Sequence, residues 1–272
     1  MLVSIAVFGL FHPSELWVRP ATSQPVRIEI ASTTLTLEGN RIAKFQMGQT
    51  AAVLVSSEFQ LSIPGKIDRR FRGVLHITPA ARELIAVIDM DLEDAVASVI
   101  APESVPGAGL EALKAQAVVA RSFYIASRGR HHAYDFCDTT HCQFLKAIPA
   151  SGTQALRAAE ETRGLILTYQ DQPLAAFYSA ACGGHTRALK RSALERSAGY
   201  PYFAVDCAYC QRPPTEPVRG HRLGLCQSGA AGMAAEGAGF RTILNHYYPA
   251  TMLVESAAST QTSELRSKST PH

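Results

Sequence analysis

The sequence has no long hydrophobic run and no dense block of basic residues. Its apolar start, residues 1–11, is too short for a membrane-spanning helix, which needs about 20 residues. The same segment lacks a basic beginning and a following Ala-x-Ala site, so we interpret it as a buried first strand rather than a secretion signal. The net charge is only +3, without a Lys/Arg cluster suited to nucleic acid. We therefore predict no transmembrane segment and no nucleic-acid partner.

The six cysteines are too few for a small protein held together by disulfides, but their clustering in the sequence indicates a specific role. Metal binding and a few disulfides both remain open. The length of 272 residues and the hydrophobic fraction of 47% suffice for a folded protein with a substantial core.

Hydrophobic patterning divides the chain into a strand-rich beginning and a mixed remainder. Alternating or β-branched runs predict strands at 26–30, 33–37, 52–55, 73–77 and 84–88. Helical spacing follows at 92–100, 110–128, 152–162 and 228–247, with a hairpin at 165–169 and 174–178. This order predicts an α+β protein, with a strand-rich part at 1–89, a second part at 90–254 and a disordered tail at 255–272.

An acidic residue, Glu103, lies in a stretch rich in proline and glycine at 101–109, which we predict to be a loop between two helices. Such a loop can present a carboxyl group to a cleft, although many such glutamates are solvated. The acidic group at 89–94 is interpreted as the first turn of the preceding helix. On the following helix, Glu111 and Lys114 are three residues apart, as in an ordinary surface ion pair.

Two further groups of residues carry metal-binding or nucleophilic chemistry. His131, Cys137, His141 and Cys142 form a cluster suited to tetrahedral Zn²⁺, with a disulfide or free thiols as the alternatives. Cys182 precedes two glycines and lies near His185, so a cysteine nucleophile is also conceivable. The Cys-x-x-Cys pair at 207–210 follows no thioredoxin-like pattern. We interpret it as a pair that holds its loop together or that supports a neighbouring site from behind.

Several ordered segments together resemble the SpoIID/LytB group of bacterial cell-wall proteins. They are APESVP at 101–106, LEALKAQAVVARSFY at 110–124, CDTTHCQ at 137–143, YSAACGGHT at 178–186 and GHRLGLCQSGA at 220–230, with ILNHYYP at 243–249. The resemblance covers residues 90–253, and the first 89 residues match more loosely. In the last long segment, Arg222 and Cys226 replace the small residue and the serine usual in that group.

The resemblance implies a SpoIID-like mixed fold with a strand-rich N-terminal part and a helix and hairpin part that forms a catalytic cleft. It implies that Glu103 is the general acid and base of a peptidoglycan lytic transglycosylase, a lyase that cleaves the β-1,4 bond between muramic acid and glucosamine and leaves 1,6-anhydromuramic ends. The resemblance to the sporulation members suggests glycan strands already stripped of stem peptides as the substrate. The residues that the resemblance implies for substrate binding are Lys114, Gln116, Arg121, Tyr178, Ser179, Cys182, Gly183, Gly184, Thr186, His221 and Gln227.

The resemblance also bears on cofactor, partners and location. Some members have a similar pattern and bind zinc near the cleft, whereas others lack it, and the interval between Cys137 and Cys142 is one residue shorter here. The resemblance thus implies zinc at His131, Cys137, His141 and Cys142 and no organic cofactor. The expected partner is the peptidoglycan glycan strand, in the cell envelope, although no export signal is evident in the sequence. The alternative is a non-catalytic wall-binding protein that modifies a cell-wall amidase, since the same group includes such members.

Overall fold

The computed structural model describes residues 1–48, 53–189, 199–210 and 220–256, which form two compact units. The first, here called the sheet unit, comprises Leu2–Val99 and Gly129–Ile148. The second, the helix unit, comprises Ile100–Arg128 and the described residues from Pro149 onward, together with Met1. The described residues contain five α-helices and a large mixed sheet, so the predicted α+β class is confirmed. None of the helices in these ranges is both long enough and apolar enough to cross a membrane.

The sheet unit is built on nine strands that alternate buried and exposed side chains along most of their length. The central order is β4-β3-β6-β7-β8-β1-β9, with β2 pairing to β5 and β6. The strands are β1 (Leu2–Val7), β2 (Glu15–Pro20), β3 (Val26–Ile30), β4 (Thr33–Leu37), β5 (Ala43–Gln46), β6 (Val53–Ile63), β7 (Ile67–Pro79), β8 (Leu84–Asp91) and β9 (Phe136–Cys137).

The opening of the chain is a buried strand, as the sequence predicted. β1 pairs antiparallel with β8 and parallel with β9, and the side chains of Val3 and Ile5 are fully buried. The short strand β9 therefore lies beside a fixed core strand. This pairing anchors the loop that carries the cluster of histidines and cysteines.

Helix α1 (Leu92–Glu103) follows β8 directly, and the Oδ1 atom of Asp91 accepts the N–H of Glu93 at its start. Glu93 and Asp94 occupy its first turn, where negative charge is favourable. The interpretation of the acidic group as a helix start is confirmed for Glu93 and Asp94, whereas Asp89 and Asp91 lie in β8.

The helix unit places α2 (Leu110–Ala126) at its centre. From Ala112 to Tyr124 nearly every residue of this helix is buried, so the helix is enclosed on all sides. Its alanines permit close approach of the surrounding elements. These are α3 (Gln154–Glu161), the sheet of β11 (Gln172–Pro173), β10 (Leu165–Tyr169) and β14 (Met252–Glu255), the parallel pair β12 (Tyr178–Ser179) and β13 (Leu225–Cys226), and the helices α4 (Gln227–Ala235) and α5 (Phe240–Tyr247).

Most predicted elements are present, and the differences are local. The predicted hairpin exists, with Gln170 and Asp171 both at positive φ in its two-residue turn. Its second strand, β11 (Gln172–Pro173), lies between the two predicted arms, so the prediction of the second arm at 174–178 is wrong. Tyr178 instead begins β12, because its backbone pairs with Leu225 of β13. The predicted strand at 52–55 extends to Ile63, and its first residue lies outside the described ones. Of the predicted tail, residue 255 ends β14 and residues 257–272 lie outside the described part.

Candidate active site

Glu103 is the last residue of α1 rather than part of the predicted loop, which corrects the sequence-based boundary. The expected break was Pro102, which has no N–H for the carbonyl of Ser98. In the structure that carbonyl accepts the backbone N–H of Lys146 at 3.3 Å, so the helix continues for a further turn without a buried unsatisfied oxygen. The side chain of Glu103 is half-buried at this helix end.

Two residues of the β12–β13 pair and the following helix approach Glu103. The Nε2 atom of Gln227, the first residue of α4, donates to the backbone carbonyl of Glu103 at 2.7 Å. Burial raises the pKa of Tyr178 well above its ordinary value, and the negative charge of Glu103 raises it further. The Tyr178 phenol is therefore protonated at neutral pH and able to donate a hydrogen bond near the Glu103 carboxyl group.

A small depression adjoins this helix end within the helix unit. Its wall contains both amide atoms of Gln116, which are buried and have no hydrogen-bond partner among the described residues. An unsatisfied buried polar group costs roughly 1–3 kcal/mol, which a bound hydroxyl or water would recover. Other lining residues are Ser104, Val105, Ala108, Leu225 and Gln227.

Lys114 is held between two carboxylates. Its Nζ atom lies 2.7 Å from Glu111 and 2.6 Å from Glu161, so the pair expected from the Glu111–Lys114 spacing is present and extended. Hydrogen bonds to Glu111 and Glu161 raise the pKa of Lys114. Burial alone would raise the pKa of Glu111, but hydrogen bonds from Lys114 and from the Phe240 N–H lower it overall.

Three predicted substrate-binding side chains are enclosed by protein groups. The guanidinium of Arg121 is fully buried and donates to the carbonyls of Ala159 and Leu165, each at 3.1 Å. Cys182 is also fully buried, and Thr186 is nearly so, with its hydroxyl donating to the Phe203 carbonyl at 3.0 Å. We therefore revise their expected role from glycan contact to support of the site.

The remaining predicted residues lie at the end of β12, in the turn that follows it, and in the segment that leads into β13. Ser179 has a buried hydroxyl without a partner among the described residues. Gly183 and Gly184 adopt positive φ angles that favour glycine. His221 packs edge-on against Phe177, and its Nδ1 atom accepts the N–H of Leu223 at 3.0 Å.

His131, Cys137, His141 and Cys142 come together in the sheet unit. Their ligand atoms all lie within 4.8 Å of one another, and the Cys137 and Cys142 sulfurs are 3.3 Å apart. Burial lowers the pKa of His131, and the charges of His141 and Arg130 lower it further, which favours the neutral imidazole that binds metals. Two thiols and two imidazoles in this arrangement fit a tetrahedral Zn²⁺ ion.

The loop that carries this cluster is tied to the core of its unit. The carboxylate of Asp138 pairs with the nearly buried Arg69 at 2.9 Å and accepts the N–H of Phe8 at 3.1 Å. Asp135 accepts the N–H of Ser4 at 3.2 Å. These contacts hold the cluster on both sides of β9.

Sequence reasoning missed a second group of thiols, in the helix unit. Cys182, Cys207 and Cys226 are buried with their sulfurs within 4.8 Å of one another, and Cys210 lies beside them. The sequence did show four cysteines outside the first cluster. Because these cysteines are far apart along the chain, their contact in the folded protein could not be predicted. The enclosure of Cys182 among thiols also disfavours the hypothesis that it is a nucleophile acting with His185, because a nucleophile needs access to substrate.

Comparison with known proteins agrees with the resemblance seen in the sequence. Residues 80–169 match the family model described as SpoIID, stage II sporulation protein. An uncharacterized protein of Brachyspira hyodysenteriae is 33% identical over 119 residues, which is 43% of this chain and 32% of that protein. The chain thus spans about a third of the length of the curated relative it matches. The matched residues include α1, Glu103 and the central helix α2, so this part of the chain is similar to the SpoIID family.

Proposed function

We propose that this protein is a peptidoglycan lytic transglycosylase in which Glu103 is the general acid and then the general base. The observation that carries the proposal is the surroundings of Glu103. Its backbone carbonyl accepts a hydrogen bond from the side-chain amide of Gln227, and its charge raises the pKa of Tyr178. The adjoining depression is lined by the Gln116 amide, which has no partner among the described residues. The match of residues 80–169 to the SpoIID family supports a role related to sporulation or the cell wall. The specific reaction is our inference from the site.

The proposed reaction cleaves the β-1,4 bond between muramic acid and glucosamine. Protonated Glu103 gives its proton to the glycosidic oxygen as the bond from that oxygen to C1 breaks. The 6-hydroxyl oxygen of the same muramic acid forms a new bond to C1, and its proton passes to the Glu103 carboxylate. The products are a 1,6-anhydromuramic end and a free glucosamine hydroxyl, and Glu103 returns to its protonated state.

This route uses one carboxyl group, whereas hydrolysis by the usual mechanism uses two at a defined separation. The other carboxylates on α2 and α3 that we describe at this site, Glu111 and Glu161, are both paired with Lys114. Their lowered pKa values keep them ionised and bound to that lysine. Glu103 is therefore our single acid and base.

The neighbouring groups have distinct proposed roles. Tyr178, as a neutral donor, is suited to hydrogen-bond a sugar oxygen or the carboxyl group of Glu103. The amide of Gln116 is buried, so it offers its donor and acceptor to a water molecule in the depression rather than directly to a sugar hydroxyl. Gln227 is a positioning residue, because it bonds to the backbone of Glu103 rather than to the reacting atoms.

His131, Cys137, His141 and Cys142 would hold a zinc ion in the sheet unit. Four protein ligands complete a tetrahedral shell, so such an ion stabilises the surrounding loop and leaves no open position for substrate. We propose that the protein acts in the cell envelope, where its substrate is found.

The test uses purified protein with peptidoglycan, both intact and stripped of stem peptides, and analysis of products by mass spectrometry. Glu103→Gln keeps the shape of the side chain but cannot exchange the proton, and we expect a rate loss of roughly 10²–10⁴-fold. Glu160→Gln, on the exposed face of α3, is the matched control and should retain the parent rate.

Three outcomes separate the alternatives. Anhydro ends that depend on Glu103 support the proposal, on whichever glycan they appear. Reducing ends would refute it in favour of hydrolysis. Binding of glycan without cleavage by the parent protein would refute it in favour of the wall-binding modifier of an amidase.

A further inference from the structure

We propose that Cys182, Cys207, Cys210 and Cys226 form a second metal site, in the helix unit, that binds a single soft divalent ion, zinc foremost. The sulfurs of Cys182, Cys207 and Cys226 converge there, and Cys210 adjoins Cys182. The four residues come from three segments: the turn after β12, the 3-10 helix Ala208–Cys210 with the residue before it, and the end of β13. The site shares no residue with the histidine and cysteine cluster of the sheet unit.

The separation of the sulfurs fits one ion. Those of Cys182, Cys207 and Cys226 lie within 4.8 Å of one another. A tetrahedral ion with bonds of about 2.3 Å to sulfur holds its ligands roughly 3.8 Å apart. A four-iron cluster spreads its cysteine ligands over several metal atoms and needs a wider cage. Tetrahedral sulfur ligation by one ion is typical of zinc.

A disulfide accounts less well for the arrangement. A disulfide joins two sulfurs at about 2.05 Å and leaves any third thiol unbonded. Here three thiols are in mutual contact, and a fourth, Cys210, adjoins Cys182. The geometry of three converging sulfurs is that of ligands around a common centre.

We assign Cys210 as the fourth ligand because it adjoins Cys182, although its sulfur is not one of the three that lie within 4.8 Å of one another. Its sulfur accepts the backbone N–H groups of Cys182 at 3.2 Å and Gly183 at 3.4 Å, so it lies beside the first ligand. It follows Cys207 with the Cys-x-x-Cys spacing that supplies half of many tetrahedral zinc sites. All four side chains are at most 5% exposed, which protects a bound ion from solvent.

The surroundings stabilise thiolate charge. The sulfur of Cys226 is the N-terminal cap of α4 and accepts the N–H of Gly229 at 3.3 Å. Unpaired N–H groups at a helix start favour a negative charge there. The Tyr247 hydroxyl lies 3.3 Å from the sulfur of Cys207 and is able to donate to it. The Cys210 sulfur receives its two N–H groups in the same way.

Gly229 keeps space for this cluster. A Cβ atom at that position would overlap the Cys207 sulfur and the Tyr247 hydroxyl. The absence of a side chain thus lets the first turn of α4 approach the sulfurs closely.

The ion would fix the beginning of α4 against the turn after β12. Cys226 immediately precedes Gln227, whose side chain bonds to the Glu103 carbonyl at 2.7 Å. Loss of the ion should therefore displace Gln227 and lower activity. This consequence for activity rests on the proposed function, whereas metal binding itself does not.

The experiment counts metal in the intact chain, purified under reducing conditions with zinc. We expect two zinc ions per chain by elemental mass spectrometry. Cys207→Ser/Cys210→Ser should lose one ion and retain the other, and Cys137→Ser/Cys142→Ser is the matched control that loses only the ion of the sheet unit. Substitution of the control variant with Co²⁺ should give the intense thiolate charge-transfer band of an all-sulfur site.

A measurement on the parent protein covers the case in which the first variant fails to fold. Alkylation before and after chelation, mapped by peptide mass spectrometry, should show Cys182, Cys207, Cys210 and Cys226 protected together and released together. Ready alkylation of these four without chelation, a disulfide between any two, or an iron–sulfur chromophore would overturn the proposal. Metal content unchanged in a folded Cys207→Ser/Cys210→Ser variant would overturn it as well. None of these outcomes depends on peptidoglycan cleavage.

Discussion

Replacement of Arg121 tests whether that residue supports the fold or touches the glycan. The resemblance implied substrate binding, but the guanidinium is fully buried in the helix unit. It donates to the carbonyl of Ala159 in α3 and to that of Leu165 in β10, so it joins two elements to α2. We choose Arg121→Met as the test variant, because methionine keeps a long side chain but lacks the N–H donors of the guanidinium.

The expected loss of stability follows from these two bonds. A hydrogen bond with one charged partner contributes roughly 1.5–3 kcal/mol, so two contribute about 3–6 kcal/mol. Removal of a buried charge recovers part of that amount, since the cation no longer has to be held away from water. We expect a net loss of about 3 kcal/mol. At roughly 2–4 °C per kcal/mol for a protein of this size, the melting temperature should fall by about 6–12 °C.

The assay is urea unfolding followed by circular dichroism, together with glycan binding at a temperature where the variant is folded. Lys114→Met is a useful comparison, because Lys114 is on the same helix but lies at its edge with surface carboxylates. A loss below about 1 kcal/mol for Arg121→Met, accompanied by weakened glycan binding, would refute the supporting role and restore the glycan-contact interpretation.

Three further predictions concern individual residues of the helix unit. Gly224→Ala should cost about 2–4 kcal/mol or prevent folding, because φ is +65° there and a Cβ would overlap the Phe177 carbonyl and Tyr248 hydroxyl; a parent-like denaturation curve would contradict this. His221 should titrate below its ordinary pKa of 6.5 by NMR, because burial and then Arg187 disfavour its charged form. Its contribution to stability is therefore present above about pH 6.5 and is lost as pH falls through the folded pKa, and a measured pKa at or above 6.5 would exclude this burial effect. Lys114→Met should move acid unfolding to higher pH, because Glu111 then loses the partner that lowers its pKa; superimposable acid titrations would argue against the ion pair.

The local pattern of apolar and polar residues was sufficient to predict most of the helices and strands. The alternation of apolar and polar residues in β3 and the other strands, and the helical spacing of apolar residues in α2, are visible among residues that are close in sequence. The end of α1 was wrong because its continuation past Pro102 depends on Lys146, which lies far away in sequence and satisfies the Ser98 carbonyl. The second hairpin arm was placed too far along the chain: the strand is Gln172–Pro173, and Tyr178 pairs with Leu225 instead.

The candidate site was predicted only in part. Ordered motifs predicted Glu103, Tyr178 and Gln227, and the structure adds a hydrogen bond from Gln227 to the Glu103 carbonyl and an electrostatic effect of Glu103 on Tyr178. Whether a polar side chain lines a surface or is buried cannot be read from its type, and Arg121 illustrates this. The thiol cluster required three distant segments to converge, and only Cys-x-x-Cys was visible locally.

Digestion of peptidoglycan in water enriched in oxygen-18 tests the central claim most directly. In the proposed reaction the muramic 6-hydroxyl closes onto C1, and Glu103 carries the proton, so no water oxygen enters the product. We predict anhydromuramic ends free of oxygen-18 from the parent protein and no such ends from Glu103→Gln. Reducing muramic ends that carry oxygen-18 at C1 would contradict the account and identify a hydrolase instead.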